Sequence, residues 1–527
     1  MGATASRWRD PGLWLLAAWG ALVAALGFPP AGVWPMALLA PAPLWAAAVP
    51  SAPRQAAARG FAFGLGFYLS LIWWIVPTVV RYGGLPWVAG AACLVCLAAA
   101  LAVYPAVVAA VCGWVGTRRP AGALLLAPLL WSGAEWARGV VFSGFPWGDL
   151  PQALWQVQPA LDLAPWVGIE GVRLLVAGLA VAPAWLLLRL GGRRCSPLAL
   201  VPAVLAAGCA VGLWLVPQPD TGPGTRIGVG VAQGNIDQAR KWDPEYRRET
   251  LERYAQLSRR AMGDGTAGSP ALLVWPETAM PFYAQDPGPL PGRVAELARE
   301  LGVAVVFGAP AYERSADGVE YRNAVFLQGA DGRRGGRYDK VHLVPFGEYV
   351  PLGRYLPFVK KLVQGAGDFT PGPEMLLLGG GGDVPRLGPL VCFEVIFPAL
   401  ARSHARRGTQ LLTVVTNDGW FGHTPGPYQH LAFAAWRAAE NRLPLVRAAN
   451  TGVSAAFDRR GRLLHATELG TAAAFRVELD LPSGPPPPSV WLGPWLGPGC
   501  LVLAALGVFA ILPALRRAPP ELSETTP

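Results

Sequence analysis

Charge is what this sequence has least of. Asp, Glu, Lys and Arg make up 15% of its 527 residues and hydrophobic residues 53%, whereas a soluble domain carries roughly 25% charged residues. The deficit falls in two stretches, about 11–216 and 490–512, both rich in Trp, Ala, Leu and Gly, so an ordinary soluble protein is excluded. Lysine is scarcer still, at four residues against forty arginines. Cysteines number seven and histidines five, and no group of them has metal-ligand spacing, so no metal is expected. His423 and His430, seven apart in "HTPGPYQH", are expected to serve their loop. A long repeat and a nucleotide-binding glycine fingerprint are also missing, which removes solenoids and dinucleotide enzymes from consideration.

What is present begins with apolar segments. A membrane-crossing helix takes roughly 20 predominantly apolar residues. About eight candidates occur, near 11–28, 33–50, 60–80, 86–115, 121–137, 163–188, 197–216 and 490–512, the second and fifth being short and interrupted by proline or charge. The first is expected to be an uncleaved anchor, since more apolar segments follow and no convincing cleavage site does. Alternate loops hold Arg7, Arg9, Arg54, Arg59, Arg118, Arg119, Arg189, Arg193, Arg194, Arg516 and Arg517, while the other short loops hold only Arg81 and Arg138. That asymmetry places both termini in the cytoplasm and the segment 217–489 outside it. It also accounts for most of the +10 net charge, leaving no reason to invoke nucleic acid. The organisation expected is a membrane domain over 1–216, an external domain over 217–489, a last membrane helix over 490–512 and a cytoplasmic tail over 513–527.

The external segment lies between two Pro/Gly-rich linkers, "PQPDTGPG" and "PSGPPPPS". Strand-like runs at 226–233, 271–277, 303–310, 324–329, 389–396, 410–418 and 444–450 are interspersed with helical patterns at 244–262, 292–302, 398–408 and 429–442. Such alternation predicts an α/β domain, and the near-continuous Val/Leu runs suit strands buried on both faces. Cys392 is the one cysteine in this domain, so in an oxidising compartment it has no disulfide partner. "CLVC" at 93–96 has redox spacing but lies in an apolar helix, where packing is the expected role.

Three stretches place an ionisable residue where a strand meets a loop. Glu277 in "LLVWPETAMP" follows an apolar run, where burial would raise its pKa towards that of a useful general base. Lys340 in "YDKVHLVPFGEYVP" offers a compact cation able to stabilise developing negative charge, with Glu348 eight residues on. Cys392 in "GPLVCFEVIFP" ends a strand before a helix, an elbow that presents a nucleophile beside backbone N–H groups. Taken singly, each has a bland alternative: a loop carboxylate pairing with arginine, a surface ion pair, an inert buried thiol.

Together, "WPET", "YDKVHLVPFGEYVP" and "CFEVIFP" resemble the Glu-Lys-Cys triad of the nitrilase superfamily. With "AQGNIDQARKW", "TNDGWFG", "RAAENRLPLVRAANTG" and the apolar frame, the chain resembles the superfamily's membrane-embedded apolipoprotein N-acyltransferase branch. The resemblance implies a polytopic helical membrane domain carrying an extracytoplasmic αββα sandwich in a bacterial inner membrane. It further implies a monomeric enzyme without cofactor, a phospholipid donor such as phosphatidylethanolamine, and a diacylglyceryl-prolipoprotein acceptor. Glu277, Lys340 and Cys392 would be catalytic, Glu348 and Glu394 supporting, and Trp242, Tyr349, Phe358, Phe393, Trp420 and Phe421 at the substrate or lid. Phe393 stands where the family often has Tyr, which tunes the site without removing activity. The stretch around 353–368, with Tyr355, Leu356, Phe358, Val359 and Leu362 beside Lys360 and Lys361, reads either as a loop or short helix that dips into the interface and gates lipid access or as a covered core helix. Two rival readings share these residues: a membrane-anchored amidase with water as acceptor, and an inactive lipid-binding scaffold.

Overall fold

A computed structural model describes residues 11–222, 224–238, 240–263, 271–315, 318–351 and 369–517. Among these, four helices are long and apolar enough to cross a membrane: Trp87–Gly116, Ala164–Leu190, Pro197–Leu215 and Ser489–Ile511. The expected 60–80 span is a helix pair, Pro53–Leu71 and Ile75–Gly83, bent by 55°. The two segments before it are shorter, Pro11–Leu26 and Pro35–Ala48. The segment at 121–137 is the Pro120–Arg138 helix, which contains Pro128 and ends on a buried ion pair between Glu135 and Arg138. By length and composition, then, four or five helices suit a bilayer, fewer than the eight apolar segments, because proline and this charge pair divide or shorten several of them. The expected lid around 353–368, including Phe358, falls outside the described residues.

The α/β domain has two sheets. One runs β11-β1-β2-β3-β4-β5 and the other β10-β9-β8-β7-β6. Its strands are β1 (Thr225–Gln233), β2 (Ala271–Val274), β3 (Ala304–Ser315), β4 (Gly318–Gln328), β5 (Arg334–Asp339), β6 (Leu387–Val391), β7 (Leu411–Thr416), β8 (Leu445–Ala449), β9 (Ala455–Phe457), β10 (Leu463–Ala466) and β11 (Ala473–Leu481). β1-β2-β3 and β6-β7-β8 are parallel; the outer strands are antiparallel.

Side chains alternate across each strand, so a continuous apolar run feeds two cores. Leu272, Val274, Ala304 and Val306 join the core shared with the second sheet. Their neighbours Leu273, Val305 and Phe307 pack instead with Leu251, Tyr254, Val294 and Leu297 from the outer helices Arg247–Met262 and Pro289–Leu301. The first of these helices buries Leu251, Tyr254, Ala255, Ser258 and Met262 at helical spacing. It follows the turn Pro244–Tyr246, where the Asp243 carboxylate accepts from the Glu245 N–H, and it stops at Gly263 with φ 66°. On the far side, helices Pro398–Arg406 and Gly426–Asn441 contribute Ala401, Ala405, Phe433 and Trp436. The layers are helix, sheet, sheet, helix.

The core between the sheets continues without a break into the apolar helices, through Trp147, Trp74 and Phe28. At this junction the Gln429 side chain accepts N–H bonds from Trp74 (3.0 Å) and Trp147 (2.8 Å), and it donates to the carbonyls of Leu71 and Pro29 at 3.1 and 3.3 Å. Nearby, Arg402 grips Glu170 with two bonds of 3.0 and 2.7 Å, both side chains buried. Breaking one partner of such a pair leaves an uncompensated charge. Arg402→Met is therefore expected to destabilise the protein by about 3–5 kcal/mol, with Glu170→Gln in the same chain recovering part of the loss. Thermal melting of the detergent-purified variants checks both.

Candidate active site

Glu277 lies just past β2, in a loop held against β3 by Gly308. A Cβ on Gly308 would stand 2.5 Å from Thr278 N and 2.6 Å from Glu277 Cα, so only glycine permits this approach. The two segments exchange bonds there, Gly308 N–H to Pro276 O and Met280 N–H to Gly308 O, each 3.1 Å. Glu277 is 7% exposed. Its Oε1 accepts from Asn323 Nδ2 at 2.7 Å, while Oε2 has no partner among the described residues. Burial raises its pKa above the ordinary carboxylate value, with the Lys340 charge opposing.

Lys340 follows β5 and is 1% exposed. Its Nζ is 2.8 Å from Glu348 Oε2. Burial disfavours the ammonium, but Glu348 and Glu277 outweigh it and hold the lysine charged well above its ordinary range. Glu348 is fixed in turn by the Val344 N–H (2.8 Å) and by Asn323 Nδ2 (2.9 Å). A single amide nitrogen thus bridges the two carboxylates. Asn323 was invisible as a site residue in the sequence; the only signal was a polar residue midway along the strand run "YRNAVFLQ".

Cys392 opens the turn Cys392–Ile396 directly after β6, with φ 52°. Burial and the Glu277 charge push its thiol up to about 12, against the pull of Lys340. All three triad residues are therefore within electrostatic reach of one another. Glu394, 0% exposed, is the anchor of this turn. Its carboxylate accepts from the N–H groups of Val391 (2.7 Å), Val341 (2.8 Å) and His342 (3.1 Å), and from the Tyr338 hydroxyl. One side chain so ties the cysteine turn to the lysine loop.

The other expected residues divide. Trp242 is half-buried next to Lys241. Lys241 is a second buried lysine, not singled out in the sequence, whose Nζ donates to the Glu277 carbonyl at 3.1 Å and whose pKa burial lowers to about 8. Phe393 packs on Phe397 and His342. Trp420 and Phe421 meet the apolar helices, Trp420 against Tyr82 and Phe421 against Trp74. Tyr349 is half-buried, and its carbonyl accepts from Phe346 N–H at 2.7 Å.

Two family models match this chain: Carbon-nitrogen hydrolase over residues 228–483, and Apolipoprotein N-acyltransferase N-terminal domain over residues 20–182. The apolipoprotein N-acyltransferase of Geobacter metallireducens is 41% identical over 476 residues, covering 89% of this chain and 90% of that one. The chain belongs to the apolipoprotein N-acyltransferase family. A second member, from Methylococcus capsulatus, is 34% identical over 491 residues, 91% of this chain and 92% of its own. Among solved structures, Saccharomyces cerevisiae Nit3 of the nitrilase superfamily matches 49% of this chain and 91% of its own at 21% identity and a TM-score of 0.38. This apolipoprotein N-acyltransferase family member is an acyltransferase with a carbon-nitrogen hydrolase α/β domain, and its apolar helices suit a membrane.

A thiol shifted from 9.0 to about 12 holds roughly a thousandfold less thiolate at pH 8. Iodoacetamide is thus expected to label Cys392 far more slowly in the native protein than after denaturation at the same pH, as peptide mass spectrometry would show.

Proposed function

We propose that the chain moves the sn-1 acyl group of a phospholipid, through a thioester on Cys392, to the α-amine of a lipoprotein's N-terminal diacylglyceryl-cysteine. The observation that carries this reading is the buried group in which Lys340 acts on both Glu277 and Cys392 while Glu277 keeps one oxygen unpartnered. That oxygen takes the thiol proton as Sγ attacks the ester carbonyl. The Lys340 ammonium stabilises the oxyanion of the tetrahedral intermediate. Collapse breaks the C–O bond, and the proton on Glu277 passes to the departing glycerol oxygen, releasing a lysophospholipid. In the second half the amine attacks the thioester, Glu277 accepts its proton, and collapse returns that proton to the sulfur as the amide forms. The thioester conserves the energy of the ester, so no ATP is needed.

Both substrates are lipids, which fits a catalytic domain whose core runs into apolar helices. The arginine distribution supports cytoplasmic termini and a catalytic domain on the outer face of the inner membrane. Glu348 and Glu394 support Lys340 and the cysteine turn. Trp242, Tyr349, Phe393, Trp420 and Phe421 are proposed to border the substrate path, and the enzyme to act as a monomer.

Incubation with a phospholipid of defined chains should add one acyl mass to the intact protein. Hydroxylamine should remove it, Cys392→Ala should abolish it, and a diacylglyceryl-cysteine peptide should discharge it as an amide. Folded wild-type protein that gives neither adduct nor amide would sink the mechanism; lysophospholipid release without peptide acylation would point to a hydrolase.

Asn323→Ala gives a second test. The base must be ionised, so acylation rises with pH through the Glu277 pKa. Removing the hydrogen bond that favours the ionised form is expected to move this acid limb to higher pH, read from acyl-enzyme formation rates across pH.

A further inference from the structure

Helix Gly426–Asn441 approaches the cysteine turn from behind with a residue that the proposed chemistry does not use. His430 Nε2 lies 3.1 Å from the Cys392 carbonyl oxygen. A carbonyl oxygen only accepts, so Nε2 bears a proton and donates. On the other side of the ring, Nδ1 is 3.0 Å from Asp418 Oδ1 and 3.2 Å from an Arg447 guanidinium nitrogen. Arg447 also binds Asp418 Oδ2. Despite its burial, Arg447 and His430 hold the Asp418 carboxyl down at about 2. Asp418 Oδ1 accepts in addition from the Thr416 hydroxyl at 3.0 Å.

The nucleophile's carbonyl is therefore tied through His430 and Arg447 to Asp418, the carboxylate that also takes the Thr416 hydroxyl at the end of the neighbouring strand β7. Thr416, Asp418, His430 and Arg447 are each at most 1% exposed. The preceding residue, Gln429, is bonded to Trp74 and Trp147, so the helix cannot slide along the turn. What this apparatus holds is a non-glycine residue at φ 52°, a conformation that persists only where its surroundings enforce it.

We propose that His430 is a positioning residue for the nucleophile: donating to the Cys392 carbonyl from a ring whose Nδ1 takes an N–H of Arg447, itself paired with Asp418, it maintains the left-handed turn and aims Sγ at the ester carbon. This rests on Cys392 being the acyl-carrying nucleophile. His430 exchanges no proton with substrate. Its contribution is geometric, and a displacement of ~1 Å at a reacting atom costs about 100-fold in rate.

The test compares two variants of the full chain in detergent. His430→Phe keeps the ring volume and removes the donor. His430→Gln can place an amide N–H near the position of Nε2, and both variants lose the imidazole contact with Arg447. With a phospholipid of defined chains, His430→Phe is expected to form acyl-enzyme about 100-fold more slowly at unchanged KM. His430→Gln should recover most of that loss, although its melting temperature falls as far as that of His430→Phe. A purely structural role would make the two fall together in rate as in stability, and that outcome, or a wild-type rate for His430→Phe, overturns the proposal. If His430→Phe does not fold, His430→Met removes the donor in its place and the same comparison decides. Cys392→Ala run alongside separates the two levels. An adduct that survives in it would remove the nucleophile assignment itself, whereas its absence together with a fast His430→Phe removes only the role of His430.

Discussion

The Lys340 ammonium, 1% exposed and 2.8 Å from Glu348, is the charge around which the catalytic domain is arranged. An ion taken out of water at this depth is tolerated only when paired and hydrogen-bonded. Two carboxylates act on it, and Asn323 links them to each other. The compensation is unequal: Glu348 takes the direct bond, while burial leaves Glu277 with a raised pKa and one oxygen without a partner among the described residues. In the proposed mechanism, charge stabiliser and base are consequences of the same buried cluster.

The sheets bring this cluster together because each member sits where a strand runs out. β2 leads to Glu277, β5 to Lys340 and β6 to Cys392, and two local devices close the remaining gaps. Gly308 lets the Glu277 loop lie against β3 at a distance no side chain would allow. Glu394 gathers backbone N–H groups from both the cysteine turn and the lysine loop. Its carboxyl is pushed up to about 7 by burial in spite of those donors.

Much of this was legible beforehand, for identifiable reasons. Strands β1, β7 and β8 are rich in apolar residues and almost wholly buried, and they lie within one or two residues of their expected bounds. β5 was missed because "RGGRYD" has no apolar periodicity; it forms by pairing antiparallel with β4. β10 was missed because its four residues are all exposed. Glu277, Lys340 and Cys392 could be picked out as ionisable residues at strand ends, the lysine and cysteine being scarce types in their domain as well. Asn323, Asp418, His430 and Arg447 could not, since their importance lies in partners contributed by distant segments. Of the eight apolar segments, four or five form helices long and apolar enough to cross a bilayer among the described residues, since proline divides some runs and Glu135 and Arg138 pair inside another.

The charge on Lys340 has one more consequence. An enzyme that stores an acyl group as a thioester beside its own lysine runs the risk of acylating itself, because a neutral amine close to that carbonyl would be a better-placed acceptor than any incoming substrate. Glu348 and Glu277 keep Lys340 an ammonium far beyond neutral pH, and an ammonium has no lone pair with which to attack. Under the proposed mechanism, the ion pair that prepares the site for the first half-reaction also protects the intermediate until the second begins, and the catalyst is not its own suicide substrate.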